Sequence, residues 1–509
     1  MKWSWVTIRE YLFYLLVFSL PWQTRWIIRD QQVGGQVWEY GRISLYGWDI
    51  LLILLIVLSW PVVWQELKKF NFLLGVEDSE LRSPSSTPNN PTPGTPFYLY
   101  LGLLVLSLLS LLWADDKLLA LVWSLRLLEG GMLWLLVLAL KPKLQNIFWS
   151  LAIAGSVQGL WGIWQFLTQS TFANKWLGVA IHPLTQGGTS VVLTSAGRWL
   201  RAYGGQVHPN VLGGLLVITC LATVWLYLNN KSEILVKISR NETNPKSETN
   251  SPASQDLAQR DKSQTNSKHQ IFKYLNSYSY SLLLLFTVQL IGLFFTFSRG
   301  AWLALFLTLG IWWWNNKRSV IARSEATKQS HQIAMPHPSV EGSARNDMPG
   351  LGVIIVTALV FIILGGIYWQ PTMGRILSGS KLEQQSLEDR AGSVKESSSL
   401  LQTVWWHGTG VGNYTVALQK FDPGLPGWRY QPVHNIFLLI LTELGIIGLL
   451  LFLWMLWELF NFKQFFIQDS LFLISILITL LVDHYWWTVP SMFLLFWLIV
   501  ALNKKLENF

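Results

Sequence analysis

Apolar runs recur along almost the whole chain, and they constrain its fold more than any other feature. A helix that crosses a bilayer needs about 20 predominantly apolar residues. Twelve stretches are read as such spans: about 6–24, 47–65, 97–114, 118–140, 145–167, 208–228, 275–297, 300–316, 350–369, 434–458, 467–482 and 485–502. Lipid offers no partner to a backbone N–H or C=O, so runs of this length read as helices. The expected fold class is an all-α polytopic membrane protein of about 12 transmembrane helices, one integral membrane domain over residues 1–509.

Composition supports this. Charged residues make up 13% of the chain, against about 25% in an ordinary soluble domain. There are 30 Trp residues. Many stand where apolar runs end, among them Trp3, Trp5, Trp22, Trp48, Trp113, Trp369, Trp486 and Trp487, as in the aromatic belts of membrane interfaces. The single cysteine, Cys220, excludes an intramolecular disulfide and a cysteine-based metal site. The net charge of +9 comes with no compact basic domain, so nucleic acid is not indicated as a partner. No small-residue cleavage site follows the first apolar run, which reads as a retained span rather than a signal peptide.

An even number of spans puts both termini on one side. Lys and Arg are more frequent in the segments that share the termini's side, and that bias places the termini in the cytoplasm. Three long segments then fall inside. Residues 67–96 form a Pro/Ser/Thr linker, 229–272 a Ser/Asn/Lys/Gln-rich disordered loop, and 317–348 an aperiodic, insertion-like loop whose His331 and His337 read as solvated loop residues. The outside receives 168–207, the turn FTFSRGAW around Arg299, and the large polar loop 370–433 between the ninth and tenth helices. The count thus gathers Arg201, His208, Arg299, Arg390, His407 and His434 on one face, without reference to any motif.

Ionisable groups at a membrane face are expensive, which makes them functional candidates. His434 heads the tenth span, where it can serve as a general base or simply cap a helix. A fixed guanidinium at Arg299 suits a diphosphate, whereas snorkelling would explain only a long side chain near a helix end. Arg390, in SLEDRAGSV, has Glu388 and Asp389 as local partners, so a structural ion pair competes with an anion site. Arg201 and His208 frame RAYGGQVHPN, in which Asn210 is the expected helix N-cap. Gly408, Gly410 and Gly412 alternate in HGTGVGNY; their amides can cradle phosphate, or the glycines can serve tight turning. Glu443 falls on the opposite helix face from His434 and is expected to pair with a neighbouring helix, while Gly445 and Gly448 allow close helix approach. Arg126 and Glu129, one turn apart within the fourth span, read as a helix pair. The outer segments show no HExxH, paired-cysteine or clustered-aspartate motif, so the expectation is no metal and no cofactor.

Together, FTFSRGAWLAL (Phe295–Leu305), Arg390, HGTGVGNY and above all HNIFLLILTELGIIG (His434–Gly448) resemble the O-antigen ligase and O-antigen polymerase superfamily of bacterial membrane glycosyltransferases. RAYGGQVHPNVLGG adds a weaker match, and the resemblance covers about 200–460. It implies a glycosyltransferase C-like helical fold in the bacterial inner membrane. It implies transfer of a glycan from a polyprenyl diphosphate carrier to an acceptor hydroxyl on the periplasmic face, metal-independent and inverting. The partners would be the lipid-linked oligosaccharide, an acceptor glycan or lipid, and the membrane. By that analogy His434, Arg299 and Arg390 are catalytic, and Arg201, His208, Gly410, Gly412 and Asn435 bind substrate. A polysaccharide polymerase of the same superfamily, a transporter of small solutes or anions, and a non-catalytic scaffold are the alternatives. The long cytoplasmic insertions depart from the family pattern.

Overall fold

The computed structural model describes residues 5–33, 35–73, 95–243, 278–315, 349–377, 381–460 and 471–506. The expected loops at 67–96, 229–272 and 317–348 fall largely outside the described residues; where 67–73 and 229–243 are described they are helix, continuing the spans before them rather than forming loop.

The chain is mostly helical. The helices are α1 (Trp5–Ser19), α2 (Gly47–Leu73), α3 (Thr95–Leu109), α4 (Lys117–Leu140), α5 (Leu144–Thr168), α6 (Pro209–Thr243), α7 (Tyr278–Phe295), α8 (299–315), α9 (Pro349–Ile367) and α10 (Trp369–Ile376). They continue as α11 (Lys381–Val404), α12 (Tyr414–Phe421), α13 (Ile436–Leu459), α14 (Leu471–Val482), α15 (Tyr485–Thr488) and α16 (Pro490–Leu506). Each of the twelve expected spans contains helix. Among the described residues, α2 through α7 and α13 are long and apolar enough to cross a membrane. An eighth span results if α9 and α10 count as one, although they are bent by 103°. The protein is thus a multi-pass membrane protein, and the count of twelve is met only in part.

Two features differ from the sequence expectation. Six short strands occupy the loops: β1 (Arg25–Arg29) pairs antiparallel with β4 (Ile43–Tyr46), β2 (Gln32–Val33) with β3 (Gln36–Val37), and β5 (Val191–Thr194) with β6 (Gly197–Leu200). Strands of two to five residues leave no alternating pattern long enough to stand out. The stretch 370–433 is also largely helical, because α10, α11 and α12 fill it. α11 lays Ser393, Ser397 and Leu400 inward, a face too polar to register as an apolar stripe.

The last helices fill the interior of the bundle. α16 packs on α4 and α14, and its Trp497 is fully buried beside Tyr100 of α3. α6 is the most enclosed span, whereas α9 leaves Ile362, Ile363 and Ile367 exposed, as a lipid-facing helix would. Inside the bundle, Arg126 of α4 bonds to Asp49 of α2 and, at 2.8 Å, to Glu129. Its guanidinium also lies over the Tyr46 and Trp48 rings. The closed triad explains how a cation is carried within a span: each charge is paired where it is buried.

Connecting segments gather at one end of the bundle. Arg29 pairs with Asp116 before α4, and Asn413 bonds to both the amide and the carbonyl of Asp116. The β5 strand packs against α10, and Arg201 reaches the turn between α7 and α8. Residues 20–33, 35–46, 168–208, 296–299, 370–377, 381–435 and 483–489 therefore share one end.

Candidate functional site

Three arginines meet where α8, α10 and α11 converge. Arg299 begins α8, Arg375 lies in the last turn of α10 and Arg390 lies in α11. Together with Asn210, Asp483 and Tyr485 they line a cleft of about 610 Å³ of open space. Arg299 donates to the carbonyl of Arg375 at 3.3 Å, and the Arg375 Nε donates to the carbonyl of Phe297 at 2.9 Å. Phe297 has φ 47°, so the turn is held in a left-handed conformation that swings this carbonyl toward α10. Arg390 does not pair with Asp389, because Asp389 is bonded to Arg429. The local ion pair considered from the sequence is therefore absent, and the Arg390 side chain has no hydrogen-bond or ion-pair partner among the described residues.

Behind the arginines stands a cluster of histidines. The His434 ring meets the His484 ring edge-on at 5.0 Å between centroids. His434, Asp483 and His484 offer ligand atoms within 4.8 Å of one another. The Asp483 carboxylate accepts from the Asn210 side chain at 2.8 Å and from the His484 amide at 2.9 Å. Burial alone would raise the Asp483 pKa, but the neighbouring His484, His434, Arg390 and His208 outweigh it and hold the carboxyl below the ordinary range. Burial lowers the pKa of His434 and Arg390 adds to it, while Asp483 and a hydrogen bond to the Pro432 carbonyl oppose them. The His434 Nδ1 is buried without a hydrogen-bond partner. An imidazole kept neutral with a nitrogen uncommitted is equipped to accept a proton.

His434, Asp483 and His484 are also a donor set that a transition metal can use. The neighbouring charge opposes it: one carboxylate would have to balance a dication beside Arg390. The same charge favours an anion, because guanidinium groups bind phosphate oxygens in pairs.

The other expected site residues have more local duties. Arg201 is buried and donates to the Thr296 carbonyl, the Ser190 hydroxyl and the Asn210 side chain, each at 2.7 Å. It fixes the loop before α6 rather than facing the cleft. His208, not Asn210, caps α6: its Nδ1 accepts from the Asn210 amide at 3.1 Å. Burial and Arg201 hold His208 well below its ordinary pKa, as an accepting nitrogen requires. Asn435 caps α13, accepting from the Leu438 amide at 2.9 Å and donating to the Leu481 carbonyl at 3.2 Å. That use engages both ends of its side chain. His407 packs against Trp113 and Trp406, away from the histidine cluster.

Gly410 and Gly412 do not form an open phosphate cradle. The Thr409 and Gly410 amides bond to the carbonyls of Thr442 and Glu443, and the Val411 amide to Ser110. A Cβ on Gly412 would stand 2.0 Å from the Trp123 ring. The loop is instead a strap laid against α13, which breaks at Gly445 (φ 68°, ψ −172°) to receive it. Gly445 thus interrupts its helix rather than easing the approach of another one. Glu443 accepts from the Trp487 indole at 2.9 Å, the partner from a neighbouring helix that its position called for.

Arg375, Asp483 and His484 escaped the sequence reading. Asp483 and His484 lie as an ionisable pair between two apolar runs, a signal that was legible. Arg375 follows the ninth span inside a stretch read as loop, with nothing local to distinguish it from the other cations there.

Residues 282–453 match the sequence model of the O-antigen ligase family. Over this stretch the chain is similar to O-antigen ligases. The matched stretch runs from α7 into α13 and holds Arg299, Arg375, Arg390 and His434, but neither Asp483 nor His484. It is narrower than the 200–460 over which the resemblance was read. That similarity supports membership of the O-antigen ligase superfamily and suggests a glycan-processing role in polysaccharide biosynthesis. No curated protein sequence matches the chain.

Proposed function

We propose that the protein is a glycosyltransferase of the bacterial inner membrane, with both termini cytoplasmic. It moves a glycan from a polyprenyl diphosphate carrier to an acceptor hydroxyl at the outer, loop-rich face. The observation that carries this reading is the cleft where Arg299, Arg375 and Arg390 converge beside His434 and Asp483.

The chemistry follows from charge. The bond that breaks joins the anomeric carbon to a diphosphate oxygen, and negative charge grows on that oxygen in the transition state. Guanidinium groups already fixed there stabilise the growing charge without reorganising. The acceptor oxygen attacks the anomeric carbon from the opposite face and its proton passes to His434, neutral near pH 7 and with Nδ1 uncommitted. One such displacement inverts the carbon. No metal is needed in this scheme, because the arginines supply the positive charge. A transporter would need an open ion site within the bundle, whereas Arg126 there is closed by Asp49 and Glu129.

The test is release of polyprenyl diphosphate by purified protein in liposomes supplied with lipid-linked glycan and acceptor. Arg390→Ala is expected to lower the rate by roughly 100-fold or more, the scale of removing one oxyanion-stabilising donor. Undiminished release by that variant would remove the arginine cleft from the mechanism.

A further inference from the structure

A second cleft lies on the far side of the histidine cluster. Its open space is about 690 Å³, the solvent at its mouth included. The segment 483–490 is the wall between the two clefts. Asp483 and Tyr485 face the arginines, while Thr488, Val489 and Pro490 face the second cleft. His484 sits within that wall. Its ring is edge-on to His434 at 5.0 Å on one side and to Tyr40 at 5.9 Å on the other, and its Nδ1 lies 2.7 Å from the Thr488 hydroxyl.

The second cleft holds Arg25, Arg42 and Arg126, and each of them is paired: Arg25 with Glu39, Arg42 with Glu39 and Asp30, Arg126 with Asp49 and Glu129. Such a surface has no net attraction for a diphosphate. It does offer aromatic rings at Tyr40 and Trp123. It also holds two buried polar atoms without hydrogen-bond partners, Gln23 Oε1 and Ser44 Oγ. Gln23 is 2% exposed, and its amide nitrogen is already committed to Gln206 and Ser491. A buried acceptor left open costs stability unless something supplies a donor. Aromatic walls with unfilled polar atoms between them suit an uncharged, hydroxyl-bearing ring.

We propose that this second cleft, between the β1–β4 hairpin, α4 and the 483–490 wall, binds the acceptor glycan. The inference rests on the transferase reading above and adds to it the place and chemical class of the acceptor. Displacement geometry selects the acceptor over the donor's own sugars. The leaving diphosphate occupies the arginine cleft, so the attacking oxygen must arrive from the other side of the anomeric carbon. The acceptor oxygen forms the new bond to that carbon, and the carbon–oxygen bond to diphosphate breaks with its electron pair on the leaving group. The hydroxyl proton goes to His434.

The experiment uses lipid-linked glycan and acceptor extracted from membranes in which the wild-type protein carries out transfer. Val207 lines the cleft and is 42% exposed. Val207→Cys is purified folded and then capped with a bulky maleimide, Cys220 being buried. Each rate is compared with that of the same variant before capping. Capping is expected to reduce transfer at least tenfold and to leave donor binding unchanged. In parallel, Tyr40→Ala is expected to raise the half-saturating acceptor concentration at least fivefold without moving that of the donor. Loss of donor binding on capping would assign the cleft to the donor glycan and overturn the proposal, as would transfer that capping leaves intact. If the wild-type protein releases no polyprenyl diphosphate at all, the transferase reading itself fails, a result distinct from either of these.

Discussion

His434 owes its expected role to its neighbours more than to its own chemistry. Burial and Arg390 favour the neutral ring, Asp483 favours the charged one, and the balance lies below the ordinary value of 6.5. A base must be unprotonated, so activity is lost as pH falls through the lowered pKa and is flat above it. The acid limb of kcat/KM is therefore expected below pH 6.5, and His434→Gln should remove it from whatever activity remains. A limb above pH 7 would show that another group is the base. Arg299 and His434 stand out in the sequence because each lies at the end of an apolar run, whereas Arg390, beside Glu388 and Asp389 in a polar stretch, does not. Asn435, Gly410 and Gly412 share the same motifs but serve the backbone. Residue type and position could not separate those two uses, since a cap and a ligand contact call for the same side chains.

At the scale of the element, the HGTGVGNY strap and the break in α13 form one device. Gly445 takes a conformation that essentially only glycine adopts, and a Cβ there would lie 2.3 Å from the Trp406 carbonyl. The break lets the Ile446 amide bond to Trp405 while the Thr442 and Glu443 carbonyls receive Thr409 and Gly410. Nine residues before the strap pairs, His434 enters the cluster, so the strap sets the depth at which α13 presents it. Gly445→Ala is expected to destabilise the fold by roughly 1–3 kcal/mol from backbone strain alone, with the steric conflict added. The check is thermal unfolding in detergent; an unchanged midpoint would mean that the break is not needed. The existence of α13 could be read from its apolar run, but the break could not. A single glycine within such a run usually marks a close helix contact, and only the partner loop, far away in sequence, shows otherwise.

Across the whole molecule, two independent lines place the same segments together. Lys/Arg bias, read along the sequence, assigned 168–207, Arg299 and 370–433 to one face. The folded chain brings them to one end of the bundle through contacts such as Arg201 with Thr296 and Asn413 with Asp116. The helical scaffold was legible because lipid imposes length and composition on each span. The short strands and α11 were not, because they fold against other loops rather than against lipid. Orientation can be tested with single cysteines in intact cells, Cys220 being buried. Ala196→Cys, in the β5–β6 turn, is expected to react with a membrane-impermeant maleimide, and Lys141→Cys, between α4 and α5, is expected to be protected. The reverse pattern would put the arginine cleft on the cytoplasmic side. The central claim is that this end of the bundle breaks the bond between a glycan and its polyprenyl diphosphate. It is tested most directly by measuring polyprenyl diphosphate released in proteoliposomes, wild type beside His434→Ala. The account expects release coupled to glycan transfer in the wild type and its near-complete loss in a variant that remains folded. Equal release from both proteins would contradict it.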